Sequence, residues 1–295
     1  QCGYYLTTGN YNTFLGRSAG HAITDGDYNV CLGYYAAVQA TGTNDSIIIG
    51  RSAGYSLTTA SDTIAIGQSA LAKITTAANS IGIGNNAGQG ITGGQNICIG
   101  HQTAFQGTNN TGHNNVFMGQ QAGYSLTSGY ENIAIGRESS RHLTSGYRNV
   151  FVGPKVAYNN FITGYANVGM GYFAMNDITS GSNNICIGQY AGENITTGAR
   201  NICIGQNAGD AITTEVNNVI IGAEAGMDAN VQNNSNVYIG YQAGKKCNTS
   251  SNVCIGRSAG EYMDDSGSNN VCLGNYAGPN NVQSHSNYNL FINSY

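Results

Sequence analysis

Residues 201–209 read NICIGQNAG, and close variants of these nine letters occur along the whole chain. Residues 184–192 read NICIGQYAG, residues 252–260 read NVCIGRSAG, and residues 115–123 read NVFMGQQAG. The glycine of the I-G pair recurs at intervals of 16 to 19 residues, most often 17, and a last copy places Asn293 where the glycine would be. Self-similarity at a fixed period of this length indicates a repeat architecture.

The repeat unit reads N-(I/V)-x-(I/L)-G-x-x-A-G-x-x-(I/L)-T-T-G-x-x, and its positions are numbered here from the first glycine, which is position 0. The apolar stretch is short and β-branched, and the glycine content is too high for a helix with an apolar face. We expect a strand of about four or five residues, a glycine-rich corner, a second short strand around I-T-T and another turn. Residues 1–295 are therefore predicted to form a single all-β repeat domain with no separate linker. Its fold is predicted as a parallel β-solenoid (β-roll) of about seventeen 17-residue coils.

The columns formed by stacked coils predict which side chains are buried. Side chains alternate between the two faces of a strand, so positions −3 and −1 share one face and positions −4 and −2 share the other. We expect positions −3 and −1, the alanine at +3 and the aliphatic residue at +7 to form a thin core. Position −4 is Asn in 14 of 17 copies. These amides either hydrogen-bond along the coil axis, as in cross-β ladders, or turn the chain at a corner.

Position −2 is never charged, and only Tyr238 brings a hydroxyl group to it. An exposed apolar stripe of such length is unusual for a monomer, and strands that are apolar on both faces are buried on both. We therefore expect this column to contact another copy of the chain. The alternative is a wide single-chain solenoid in which position −2 also points inward. The expected oligomer interface comprises Phe14, Cys31, Cys98, Phe117, Phe151, Cys186, Cys203, Tyr238, Cys254 and Cys272.

Residues 132–136 (NIAIG) and 80–84 (SIGIG) resemble the N-S-V-A-I-G head repeats of YadA-like trimeric autotransporter adhesins. The longer unit, with A-G and T-T-G, resembles repeats in phage and giant-virus fibre proteins and in bacterial fibre-like surface proteins. This resemblance covers nearly the whole chain. It implies a left-handed coil and a homotrimer in which three coils pack around a common axis.

The composition argues against several classes of function. Charged residues are 9% of the chain and the formal net charge is −4, so the basic patch typical of nucleic-acid binding is missing. No apolar run reaches the roughly 18 residues of a membrane span. We expect neither nucleic-acid binding nor membrane insertion. The chain begins inside a repeat without an initiating Met, so we expect a processed chain or a segment of a longer one.

The reactive side chains predict no active site. Six of the eight cysteines lie at position −2, where Ala, Gly and Phe replace them, which is typical of small buried hydrophobic residues. We expect free thiols. The five histidines fall in different coils and columns, so they form no metal-binding pair. We predict that the protein is not an enzyme and has no catalytic residue, metal or cofactor.

These observations favour a structural protein, namely a subunit or shaft of an extracellular or virion fibre that self-assembles into a rigid rod. Its subunits could also stack end to end, and its sides could bind a surface glycan or a protein receptor. The alternative is an ice-binding solenoid with a threonine ladder, such as Thr58/Thr59 and Thr196/Thr197. Adjacent threonines point to opposite sides of a strand, however, whereas a flat ice-binding face would use T-x-T. Five N-x-S/T sequences mark possible glycosylation at Asn44, Asn109, Asn194, Asn233 and Asn248.

Overall fold

The computed structural model describes residues 1–106, 110–228, 234–263, 267–279 and 287–293. Within these residues, the regular elements are seventeen strands of three residues, one in each repeat. Every strand occupies positions −3 to −1, so the strands are shorter than the sequence predicted. The chain divides into two compact units, and the prediction of a single domain over residues 1–295 stays a prediction.

The first unit, Gln1–Tyr147, contains eight strands, each paired in parallel with the next strand along the chain and at the same repeat positions. The strands are β1 (Thr13–Leu15), β2 (Val30–Leu32), β3 (Ile47–Ile49), β4 (Ile64–Ile66), β5 (Ile81–Ile83), β6 (Ile97–Ile99), β7 (Val116–Met118) and β8 (Ile133–Ile135).

The second unit, Arg148–Tyr295, contains nine strands with the same parallel pairing. They are β9 (Val150–Val152), β10 (Val168–Met170), β11 (Ile185–Ile187), β12 (Ile202–Ile204), β13 (Val219–Ile221), β14 (Val237–Ile239), β15 (Val253–Ile255), β16 (Val271–Leu273) and β17 (Leu290–Ile292). Each unit is therefore a parallel β-solenoid, as the sequence period predicted.

The prediction of a second strand around I-T-T is wrong. The coils are hydrogen-bonded to one another in this segment, since the amide of Thr58 donates to the carbonyl of Thr75 over 2.9 Å. The backbone bends here, however, and the next two amides donate to the same Thr75 carbonyl, so the pairing does not continue as a ladder. Isolated bridges form instead, such as the one between Ile91 and Asn110. Within the described residues, each coil thus has one short strand and a long turn-rich return.

The interior of each unit is formed by positions −2, +3 and +7. The alanine at +3 and the aliphatic residue at +7 are buried, as predicted, and Ala208 and Ile195 have no accessible surface. Positions −3 and −1, which were expected in the core, point outward instead. Ile47 is 39% exposed and Ile187 is 37% exposed. The strand therefore turns the face opposite to the expected one toward the core.

The assignment of position −2 to an interface between chains is wrong, because these side chains fill the interior of the single chain. A side chain without accessible surface has none to bury against a partner. Of the ten residues named for that interface, nine are at most 1% exposed, namely Cys31, Cys98, Phe117, Phe151, Cys186, Cys203, Tyr238, Cys254 and Cys272. Phe14, in the first strand, is partly buried against the same core.

Compensating side-chain volumes show why this column tolerates Gly, Ala, Cys, Phe and Tyr. A Cβ atom at Gly82 would lie 2.6 Å from Cγ of Leu71, which occupies position +4 of the preceding coil, where Gly is usual. A Cβ atom at Gly169 would lie 2.9 Å from Val156 and 3.0 Å from the ring of Phe151. Small residues therefore occur at −2 where a large side chain of a neighbouring coil fills the space beside them, as dense interior packing requires.

Position 0 needs glycine for two separate reasons. Gly205 has φ +132°, a backbone conformation that residues with a Cβ rarely adopt. A Cβ atom there would also lie 2.6 Å from both the carbonyl carbon and the carbonyl oxygen of Gly222 in the next coil. The glycines of successive coils thus stack backbone on backbone, which confirms the sequence interpretation of these corners.

Candidate assembly surface

An apolar stripe runs along the outward face of the strands in each unit. It consists of the side chains at positions −3 and −1, and we call it the outward stripe. In β1–β8 these side chains are aliphatic or Met with the exception of Thr13, and in β9–β17 they are all aliphatic or Met. The Met118 and Met170 residues are 38% and 39% exposed. No charged side chain interrupts the stripe in any of the described strands.

The outward stripe of one unit is as large as the largest apolar patch on a typical monomer. Burying an aliphatic side chain contributes about 2.5 kcal/mol, at about 25 cal/mol for each Å² of apolar surface. The ratio of these values gives about 100 Å² of surface for a fully exposed aliphatic side chain. The fifteen apolar side chains of β1–β8 are all at least partly exposed, and taking about one third of each as accessible gives roughly 500 Å². The largest patch on a typical monomer is about 300–600 Å², and a standard protein interface buries about 800 Å² on each partner. Each unit alone therefore carries most of the apolar area that a stable interface needs.

The asparagines at position −4 form a buried ladder on the inner side of the coil. In Asn201, Nδ2 donates to Oδ1 of Asn184 over 3.1 Å and to the carbonyl of Glu215 over 2.7 Å. Its own Oδ1 accepts from the amide and Nδ2 of Asn218 over 3.0 and 3.1 Å. Asn201 has no accessible surface. The predicted amide ladder is confirmed, and it also holds the following turn, so both sequence interpretations describe the same side chain.

Where the ladder lacks Asn, hydroxyl groups replace part of its bonding. The amide of Ser46 donates to Oδ1 of Asn29 over 3.2 Å, and Oγ of Ser46 accepts from the amide of Thr63 over 3.3 Å. A hydroxyl group spans a shorter distance and has fewer donors than an amide. At these coils the position −4 side chain still accepts from the backbone amide of the next coil, over a longer distance than in the Asn ladder.

The eight cysteines are all free, as expected. Burial raises the pKa of the Cys31 and Cys98 thiols from 9.0 to about 12. Desolvation disfavours the charged thiolate, which is the reactive form. Cys2 is the exposed exception. The buried thiols therefore behave as small hydrophobic side chains.

The threonine column of the ice-binding alternative is partly engaged within the fold. The hydroxyl group of Thr58 donates to the carbonyl of Thr75 over 3.1 Å, and that of Thr196 donates to the carbonyl of Thr213 over 3.2 Å. These hydroxyls at position +8 bond to the next coil, whereas the neighbouring Thr59 at position +9 is exposed. Ice binding stays a prediction, which a thermal hysteresis assay tests.

The glycosylation sequences differ in how free their asparagines are. Nδ2 of Asn194 donates to the carbonyl of Asp210 over 2.8 Å, so attachment of a glycan would break this bond. Oδ1 of Asn44 accepts from the amide of Asp27 over 2.8 Å, and its Nδ2 donates to the carbonyl of Gly42 over a longer 3.4 Å. The remaining sequences stay predictions. Asn248 is among the described residues, and Asn109 and Asn233 lie outside them.

The described residues show neither a metal-binding cluster nor a membrane-spanning helix. In the part of the chain that the structure describes, no three His, Cys, Asp or Glu side chains are grouped so as to hold a metal ion. None of the same residues belongs to a helix long and apolar enough to cross a bilayer. Comparison with protein-family models, curated proteins and solved structures found no match, so the resemblance to adhesin and fibre repeats stays a prediction.

Proposed function

We propose that this chain is a structural subunit or shaft of an extracellular or virion fibre, in which copies of the chain associate side by side. The observation that carries the proposal is the outward stripe, because a contiguous apolar face of this size is typical of a surface that binds another protein. The β-solenoid fold is compatible with such a structural role.

A second copy of the same chain fits this stripe better than an unrelated partner. Neighbouring coils are about 4.8 Å apart, so a partner with the same coil spacing meets the aliphatic side chains in register along its whole length. Apart from the hydroxyl group of Thr13, the stripe has no charged or hydrogen-bonding side chain that would select a different polar partner. The adhesin resemblance adds the number of copies, and we propose three chains around a common axis.

Internal rigidity is the other property that a shaft needs. The coils of β11 and β12 are bonded through their strands, through the I-T-T segment and through the amide ladder, and all three sets of bonds run between adjacent coils. In a solenoid, stability is the sum of repeat terms and nearest-neighbour interfaces. Bending a unit would therefore strain three parallel sets of hydrogen bonds at once.

The variant Ile202→Lys/Ile204→Lys tests this assignment of the stripe. The charges would project outward from β12, so the fold is expected to persist by far-UV circular dichroism while lateral association weakens. Sedimentation velocity should then show a shift from the assembly toward the single chain of 30.7 kDa. The matched control Gln206→Lys adds a charge at an exposed site beside the stripe and should leave the assembly unchanged.

An unchanged sedimentation coefficient for the double lysine variant would contradict the lateral interface. End-to-end stacking is a separate proposal, and electron micrographs that show only isolated particles would refute it. The extracellular or virion location follows from the proposed fibre role and is tested by immunogold labelling of the source cells or particles.

A further inference from the structure

A group of exposed tyrosine and arginine side chains lies in the first unit, just beyond the glycine that ends each strand. Arg17, Tyr34 and Arg51 occupy position +1 in three successive coils, while Tyr35 is at +2 and Tyr55 is at +5. Both arginines are exposed, and Tyr34 and Tyr55 are 41% and 38% exposed. We call these five residues the Tyr–Arg strip.

Four side chains of the Tyr–Arg strip contact one another, and Arg51 follows Tyr34 at the same position of the next coil. The Arg17 guanidinium lies over the Tyr34 ring, 5.7 Å from its centre. The ring centres of Tyr34 and Tyr35 are 4.1 Å apart, and Tyr35 meets Tyr55 edge to face at 6.3 Å. A hydrogen bond with Tyr35 raises the pKa of Tyr34, and the positive charges of Arg17 and Arg51 act against this rise.

The charge around the strip has one sign, although the whole chain carries a net charge of −4. Positions +1, +2, +5 and +6 of the four coils that begin at Gly16, Gly33, Gly50 and Gly67 contain no acidic residue, and Lys73 adds a further cation. The acids of these coils lie in other columns, at Asp25, Asp27, Asp45 and Asp62. This separation gives the strip a positive potential that favours an anionic ligand.

The spacing of the two arginines sets the spacing of the anionic groups. Equivalent positions in adjacent coils are about 4.8 Å apart, so Arg17 and Arg51, two coils apart, repeat at about 10 Å. That distance is close to the length of two linked pyranose rings. The planar guanidinium fork binds a carboxylate through two parallel hydrogen bonds.

We propose that the Tyr–Arg strip binds a linear polysaccharide that carries a carboxylate on every second sugar and lies along the coil axis. Arg17 and Arg51 bind successive carboxylates. Tyr34 contacts the uncharged sugar between them with its exposed ring edge and its hydroxyl group. This inference names a ligand class for the adhesive side of the proposed fibre, and it rests on that function only for its biological setting.

Single-stranded nucleic acid is the competing ligand, because arginines and aromatic rings bind it as well. Base stacking needs open ring faces, however, and the Tyr34 ring is covered by Arg17 and lies against Tyr35. The exposed ring edges and hydroxyl groups fit the CH and OH groups of a sugar better. The structure therefore favours the polysaccharide.

The test uses fluorescence anisotropy with labelled hyaluronate oligosaccharide, in which glucuronate alternates with N-acetylglucosamine. Neutral N-acetylglucosamine oligomers of the same length and oligo(dT) serve as comparison ligands at physiological salt. Binding of hyaluronate should exceed that of both comparison ligands. Arg51→Gln should weaken it by about tenfold, as expected for the loss of one charge-assisted hydrogen-bonding pair.

The matched control is Arg137→Gln, which changes an exposed arginine at the same repeat position. Arg137 is paired with Glu138 at 3.7 Å, so its loss should leave binding unchanged. Equal binding of the neutral oligomer or of oligo(dT), or an equal effect of both arginine variants, would overturn the inference. The mass of each sample is measured in parallel. Failure of sugar binding by an intact assembly refutes only this inference, whereas strip-dependent binding by a single chain refutes only lateral association.

Discussion

Removing one amide from the ladder should cost far more stability than removing an exposed amide from the same coil. In Asn201→Ala, the amide and Nδ2 of Asn218 lose their shared acceptor, and the carbonyl of Glu215 loses the donor that lies 2.7 Å away. Asn218 is 1% exposed and Glu215 is 4% exposed, so water cannot readily replace these bonds.

The expected magnitude follows from the number of groups affected. A buried polar group without its partner costs about 1–3 kcal/mol, so the three groups together predict a loss of about 3–9 kcal/mol. Asn201→Ser should cost less, because Ser46 shows that a hydroxyl group keeps part of the bonding. The control Gln206→Ala removes an exposed side chain and should change stability by about 0.5 kcal/mol or less.

Native-state hydrogen exchange at the amides of β12 and β13 is the appropriate assay, because repeat proteins open locally and a single unfolding free energy is poorly defined for them. The opening free energy should fall in the order Gln206→Ala, Asn201→Ser, Asn201→Ala, with the last variant lowest. If Asn201→Ala opens no more easily than Gln206→Ala, the ladder does not stabilise the solenoid and the argument is refuted.

Further expected outcomes concern the corner glycine and the thiols. Gly205→Ala should lower the free energy of unfolding by more than about 3 kcal/mol or fail to fold, because its Cβ atom would lie 2.6 Å from the Gly222 carbonyl at a φ that disfavours it. Urea denaturation against wild type measures this loss, and a loss below about 1 kcal/mol would contradict the prediction. A thiol reagent should label Cys2 in the native protein and all eight cysteines after denaturation, and rapid native labelling of Cys31 or Cys98 would show that the −2 column is open. Burial raises the pKa of the Cys31 and Cys98 thiols to about 12, so between pH 9.0 and 12 they ionise in the unfolded chain and stay protonated in the folded one. Their contribution to the free energy of unfolding is therefore full below pH 9.0 and declines toward pH 12. Urea denaturation at several pH values across this range measures the decline.

The period, the strand positions and the corner glycines could be predicted from the sequence because each is fixed locally. The I-G pair sets the end of every strand, and close backbone stacking at position 0 admits only glycine, as at Gly205. The second strand was predicted wrongly because the I-T-T segment is β-prone, yet the chain bends there and the amides of Thr58 and Thr59 donate to one carbonyl, that of Thr75. Local propensity does not record how far a turn allows pairing to continue.

The inward face of the strand could not be predicted from alternation alone. Both faces of NICIG are apolar, and alternation separates them without saying which one meets the core. The informative signal was volume compensation between coils, because Gly82 coincides with Leu71 and Gly169 with Phe151 and Val156. Such exchange of volume is typical of an interior, whereas the outward stripe shows nearly uniform Ile and Val. The Tyr–Arg strip was missed because its residues are far apart in sequence and meet only when coils stack.

Lateral association through the outward stripe is the central claim, and the absolute mass of the wild-type protein in solution tests it most directly. Light scattering after size-exclusion chromatography should give about 92 kDa, three times the 30.7 kDa of one chain. A mass of 30.7 kDa at all accessible concentrations would mean that the stripe stays exposed on a single chain and would contradict the account.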